Sequence, residues 1–166
     1  MTASALAALV LGVLAVWAAE PPAPPRQTPG ESRTGLVARG RYVVMIAGCN
    51  DCHTAGFTAS GGTTPEGEWL TGDSVGWRGP WGTTYPTNLR ISIGKKSEEQ
   101  WVKYAKTLST KPPMPWFNVR AMTDTDLRAL YQYVKSLGVA GKAAPAFVPP
   151  GKEPKMPYVL WPGVVK

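Results

Sequence analysis

The sequence predicts a mainly α domain whose three main helices are joined by long Gly- and Pro-rich loops and followed by an extended C-terminal tail. Three observations carry this expectation. Three segments repeat apolar residues at helical spacing, and two of them start behind recognisable capping residues. Gly and Pro together make 35 of 166 residues (18 and 17), which implies loops but falls short of low complexity. Charged residues are only 17% of the chain, too few for a disordered polyelectrolyte.

The chain opens on residues 1–18, which carry no charged side chain and contain the apolar run LAALVLGVLAV. This reads as an export leader cut before Ala19. An uncleaved anchor is the competing reading, because no Lys or Arg precedes the run, although spanning hydrocarbon takes about 20 apolar residues. Either reading puts the folded part in the periplasm or on the outer face of the inner membrane. Residues 19–34 form a Pro-rich spacer, 35–138 the domain, and 139–166 a Pro-rich tail. That tail carries Phe147, Tyr158 and Trp161, which predicts that it lies against the domain rather than in solvent.

The first helix is expected over Leu36–Ile46, with Gly40 marking close approach by another element and Met45 assigned to core packing. The second begins behind Ser97, with Gln100 completing a capping box, and presents Trp101, Tyr104, Ala105 and Leu108 as one stripe. The third begins behind Thr123 and ends at Gly138. Its stripe is Leu127, Leu130, Tyr131, Val134 and Leu137, and crossing it over the first helix at Gly40 would bury both faces. Between His53 and Ser97 no helical period is visible.

Cys49-Asn50-Asp51-Cys52-His53 is a C-x-x-C-H sequence, the attachment signature of c-type haem. Two thiols three residues apart on one turn can add to the two porphyrin vinyl groups, and the next histidine reaches the iron from the same side. Shuffling the composition yields this pattern roughly once in 14,000 arrangements. A thioredoxin-like site would need a βαβ context, and a zinc knuckle more ligands than two cysteines and one histidine supply. Haem c with its iron is therefore the expected cofactor. The loop after the motif, with Trp69, Trp77, Trp81 and Tyr85, then reads as an aromatic wrap over the porphyrin, its indole N–H groups reaching the propionates.

With the only histidine spent, the sixth iron ligand is Met, Lys, Tyr or none. Met1 belongs to the leader, Met45 to the first helix and Met156 to the tail, while Met122 matches a hydrophobic staple with Leu127. Met114, in the stiff segment Lys111-Pro112-Pro113-Met114-Pro115-Trp116, is the preferred ligand, since such a loop loses little entropy in holding a thioether at the iron.

Taken together, the helix into CNDCH, the Gly-rich middle, the Met-Pro loop and the last amphipathic helix resemble a class I cytochrome c over residues 34–138. The stretches Gly82–Leu89 (GTTYPTNL), PPMPWF and MTDTDLRALYQYVKSLG are similar to the haem domains of cytochrome subunits that serve periplasmic alcohol and aldehyde dehydrogenases. The resemblance implies that Tyr85 and Asn88 lie in the haem environment, that Met114 is the distal ligand, and that Pro65, twelve residues past His53, turns its carbonyl to the ligand. Those subunits often carry several haems, whereas this chain has one motif.

The expected function is electron transfer by a single-haem carrier, with no bond chemistry on a substrate. A formal charge of +7 favours an acidic redox partner, a dehydrogenase, oxidase or other cytochrome, with anionic lipid headgroups a second counterpart. No nucleic-acid reader motif accompanies the dispersed Lys and Arg. The alternatives are a haem enzyme or ligand sensor with an open sixth site, and a subunit dedicated to a dehydrogenase or oxidase complex.

Overall fold

In the computed structural model, residues 32–155 and 157–161 are described; the leader, most of the spacer, Met156 and the last five residues lie outside them. Helix α1 spans Arg33–Ile46, starting earlier than expected because the Ser32 hydroxyl accepts from the Gly35 amide and caps it. The short α2, Cys49–His53, follows at once. Next come a 3-10 turn at Glu66–Glu68, strands β1 (Gly76–Gly79) and β2 (Gly82–Thr84), and helices α3 (Leu89–Ser92), α4 (Glu98–Thr107), α5 (Trp116–Ala121) and α6 (Asp124–Leu137). Strand β3, Tyr158–Leu160, is the last of the described elements.

The core is the crossing of α1 and α6. Gly40 is buried there, and a Cβ built on it would stand 2.0 Å from the Ala129 carbonyl oxygen and 2.6 Å from Tyr133 Cβ. Without a side chain at that point the two backbones approach closely, and Val43, Val44, Leu127, Leu130, Tyr133 and Val134 fill the seam. Both expected caps form: Ser97 and Gln100 make the reciprocal capping box of α4, and the Thr123 side chain accepts from the Asp126 amide at α6. Met122 and Leu127 pack in the same cluster, as the staple requires.

Three expectations are corrected. Met45 is 41% exposed rather than core. Tyr104 faces solvent beneath the Lys96 ammonium, and Val102 takes its place beside the expected Trp101 and Ala105 on the buried face of α4. In α6, Tyr133 is the buried aromatic and Tyr131 is only partly covered, since the stripe rotates toward the Gly40 gap.

The middle of the chain is not only loop. Strands β1 and β2 pair antiparallel, and β3 adds parallel to β1, giving the order β2-β1-β3. The tail thus returns to the domain. Tyr158 stacks under Arg78, which also pairs with Glu153 at 2.5 Å, and Trp161 meets Trp77 and Trp81 edge-on. No helix among the described residues is long and apolar enough to cross a membrane.

Candidate cofactor site

The two thiols and the imidazole sit on one helical turn because the chain reverses immediately before it. Gly48 takes φ 65°, a left-handed conformation that costs glycine nothing, and joins α1 to α2 without a loop. Cys49 and Cys52 are free and half-buried. Burial first, and the Asp51 carboxylate second, push the Cys49 thiol up to about 12 and raise that of Cys52. Both raised thiols lack the depressed pKa that activates the nucleophile of a disulfide oxidoreductase. Among the described residues no group of three or more His, Cys, Asp or Glu side chains converges on a metal position.

His53 is buried, and its Nδ1–H donates to the Thr87 carbonyl at 2.7 Å. Burial lowers its pKa, partly offset by that bond. The ring is thus neutral with its proton on Nδ1, which leaves the Nε2 lone pair as a metal donor. The acceptor is not Pro65, as the resemblance implied: the Pro65 carbonyl takes the Glu68 amide and closes the 3-10 turn. Spacing along the chain pointed to Pro65, but the fold delivers a carbonyl 34 residues away.

A buried polar frame holds α2 in place. The Thr54 hydroxyl donates to Asn50 Oδ1 and accepts from the Leu70 amide, each at 2.8 Å. The Gly72 amide donates to the His53 carbonyl at 2.7 Å. Leu70, fully buried, takes φ 61°, a strain of about 1–2 kcal/mol for a residue with a Cβ. Its carbonyl accepts from both the Leu89 and Arg90 amides, which keeps it there.

The segment Thr84–Asn88 links the two expected iron ligands. At one end the Thr84 hydroxyl donates to the Pro112 carbonyl at 2.8 Å, holding the Met114 loop against β2. At the other, the Thr87 carbonyl faces His53. Met114 is half-buried, and its carbonyl accepts from the Trp116 amide at the start of α5. Tyr85 packs where Gly76 lacks a side chain, since a Cβ there would lie 3.0 Å from the ring. The side chain of Asn88 is committed to protein partners: its Oδ1 caps α3 and its amide donates to the tail carbonyls of Ala140 and Lys142.

Of the tryptophans expected to reach the propionates, Trp69 is excluded, because its indole donates to the Thr64 carbonyl. Trp81 differs: its Nε1 is buried and has no hydrogen-bond partner among the described residues. An orphaned buried donor is costly, and a carboxylate-bearing cofactor would satisfy it. With an imidazole offering Nε2 and two free thiols on one turn, the residues fit a covalently bound haem.

The cytochrome c family model matches residues 37–138. The cytochrome subunit of fructose dehydrogenase from Gluconobacter japonicus is 30% identical over 121 residues, covering 67% of this chain and 23% of its own. A nicotinate dehydrogenase subunit from Pseudomonas putida is 31% identical over 151 residues, covering 82% and 12% respectively. The cytochrome c subunit of a quinone-type alcohol dehydrogenase from Gluconacetobacter polyoxogenes is 30% identical over 148 residues, covering 82% and 27%. The chain therefore spans about a quarter of these relatives or less. No solved structure matches it significantly.

Proposed function

The chain belongs to the cytochrome c family and takes a covalently bound haem c; from that premise we propose that it is a single-haem electron carrier. Cys49 and Cys52 would carry the thioether links, and His53 and Met114 would hold the iron. When bound, the haem supplies a one-electron ferric–ferrous couple. His53 donates through Nε2, the Thr87 carbonyl holds its ring, and the Met114 thioether favours the reduced state. The observation that carries this reading is the 2.7 Å bond from His53 Nδ1 to Thr87 on the same turn as both thiols. With the only histidine so engaged, no second imidazole is left for distal acid–base work.

We assign residues 1–18 to export and the domain to the periplasm, with the positive charge facing an acidic patch on a redox partner. A dehydrogenase is the favoured partner, because the relatives are named as dehydrogenase subunits. Those names also support a second reading, a subunit dedicated to one such complex. Copurification of a larger enzyme that is lost when residues 146–166 are removed would favour the dedicated subunit. A monomer reducing several acceptors equally would favour the free carrier.

The optical spectrum of the matured ferric protein, taken beside Met114→Ala, tests the axial assignment. We expect a weak long-wavelength methionine–iron band that the variant lacks. Its absence from wild type, with immediate binding of cyanide, would instead make the sixth position open and the protein a ligand sensor or haem enzyme.

A further inference from the structure

The Thr87–Asn88 unit, whose Thr87 carbonyl orients His53, meets glycine backbone twice, Gly72 at its main chain and Gly141 at the Asn88 side chain. On one side is Gly72, at φ 81°, whose amide also donates to the His53 carbonyl; a Cβ on it would stand 2.8 Å from both the Asn88 amide nitrogen and the Pro86 carbonyl oxygen. On the other is Gly141, at φ 73°, where a Cβ would stand 3.0 Å from Asn88 Nδ2 and 3.1 Å from Thr71 Cβ. The residues flanking Gly141 supply the carbonyls that hold the Asn88 amide, Ala140 at 2.8 Å and Lys142 at 3.1 Å. Asn88 is nearly fully buried, and the Ile91 amide fixes the orientation of its side chain. Residues 140–142 lie beyond the span that matches the family model.

We propose that Ala140–Lys142 is a redox-tuning strap, and that Asn88 is a positioning residue through which it holds the Thr87 carbonyl against His53 Nδ1. The inference rests on His53 being an iron ligand. A firm Nδ1–H···O=C bond makes an imidazole a stronger donor, which favours the ferric state and lowers the potential. Loosening the strap therefore raises the potential while Cys49, Cys52, His53 and Met114 are all left unchanged.

The test compares the haem-loaded full chain with Gly141→Val, Asn88→Ala and, as a control on the tail, Glu153→Ala, which releases the Arg78 and Tyr158 contacts of Glu153 and touches nothing in the strap. Gly141→Val changes no charge, and Gly141→Ala is a milder version that remains informative where a bulkier variant fails to fold. The readouts are the reduction potential and the solvent exchange of the His53 Nδ1–H in the ferrous protein by NMR. We expect a higher potential and about tenfold faster exchange in the strap variants, the size of one lost hydrogen bond, and no change in Glu153→Ala. Folded, haem-loaded strap variants with wild-type exchange and potential would overturn the strap while leaving the carrier intact. An equal shift in Glu153→Ala would overturn it too, by showing a diffuse effect of tail release. Lack of covalent haem on wild type would sink the carrier reading itself, and the strap with it.

Discussion

Arg90 closes the end of α6 from below: its Nε donates to the Gly138 carbonyl at 2.6 Å, and Nη2 donates to that of Leu137. A third donor reaches the Gly67 carbonyl at 2.7 Å. The guanidinium is buried and spends its charge on the negative end of the helix dipole, tying α6 to the loop that precedes β1. Arg90→Met should cost about 3 kcal/mol, because it strips a charged donor from several buried carbonyls. Arg90→Lys should recover only part of this, since an ammonium cannot reproduce the planar fork. Chemical denaturation of the haem-loaded protein measures both, and equal stability of the two variants would refute the fork.

The helix crossing gives a second prediction. Gly40→Ala places a Cβ against the Ala129 carbonyl, where backbone rather than a flexible side-chain end must move. We expect a loss of about 3 kcal/mol, the upper end for overpacking, whereas Ala38→Gly on the exposed side should cost about 1 kcal/mol or less. A Gly40→Ala protein that unfolds at the wild-type denaturant concentration would show that the crossing is looser than described.

Acid sensitivity should enter at the other contact between these helices. Arg39 Nε and Nη2 both approach Asp126 Oδ1 at 2.8 Å. Burial pushes the Asp126 carboxyl up, but the Thr123 hydroxyl and the Arg39 guanidinium together hold it below its ordinary value of 3.8. A depressed folded-state pKa stabilises above the unfolded value and loses that contribution as pH falls through the folded one. Stability should therefore decline on acidification below about pH 4, and Asp126→Asn should flatten that part of the profile while lowering stability at neutral pH. Unfolding midpoints collected against pH would show this.

Covalent attachment has a chemical signature. Cys49→Ala and Cys52→Ala should each retain haem through one thioether, while the double variant should release it into acidified organic solvent. Haem that resists extraction from the double variant would rule out these two residues as the attachment points.

Electron exchange with an acidic partner should slow as salt rises. Between ionic strengths of about 0.01 and 0.15 M the screening length falls from about 30 to 8 Å, so the association rate should drop steeply while first-order transfer within the complex holds constant. Stopped-flow reduction by a candidate dehydrogenase separates the two. A salt-independent rate would mean that the chain's positive charge plays no part in docking.

Much of the molecule could be read before folding it, and the legible parts are the local ones. CNDCH is five consecutive residues, and its chemistry follows from their spacing on one turn. The Ser97–Gln100 box and the Thr123 cap involve residues three apart, so a short window contains both partners. Gly40 was legible for a different reason: a glycine inside an otherwise good helix needs a cause, and a close crossing is the common one. Less visible was α5, a six-residue helix behind Pro115 with no buried residue to give it a stripe.

The sequence by itself determined the cofactor and the capped helices, because thiols, imidazole and capping groups act over a turn or less. Tertiary structure decided who supports the site. The carbonyl behind His53 belongs to Thr87 rather than Pro65, the Asn88 amide holds the tail, and residues 158–160 return as the third strand of a sheet. A backbone carbonyl carries no side-chain signature, and every residue has one. Which of them meets a given N–H is settled only when distant segments are packed and each buried donor must find an acceptor.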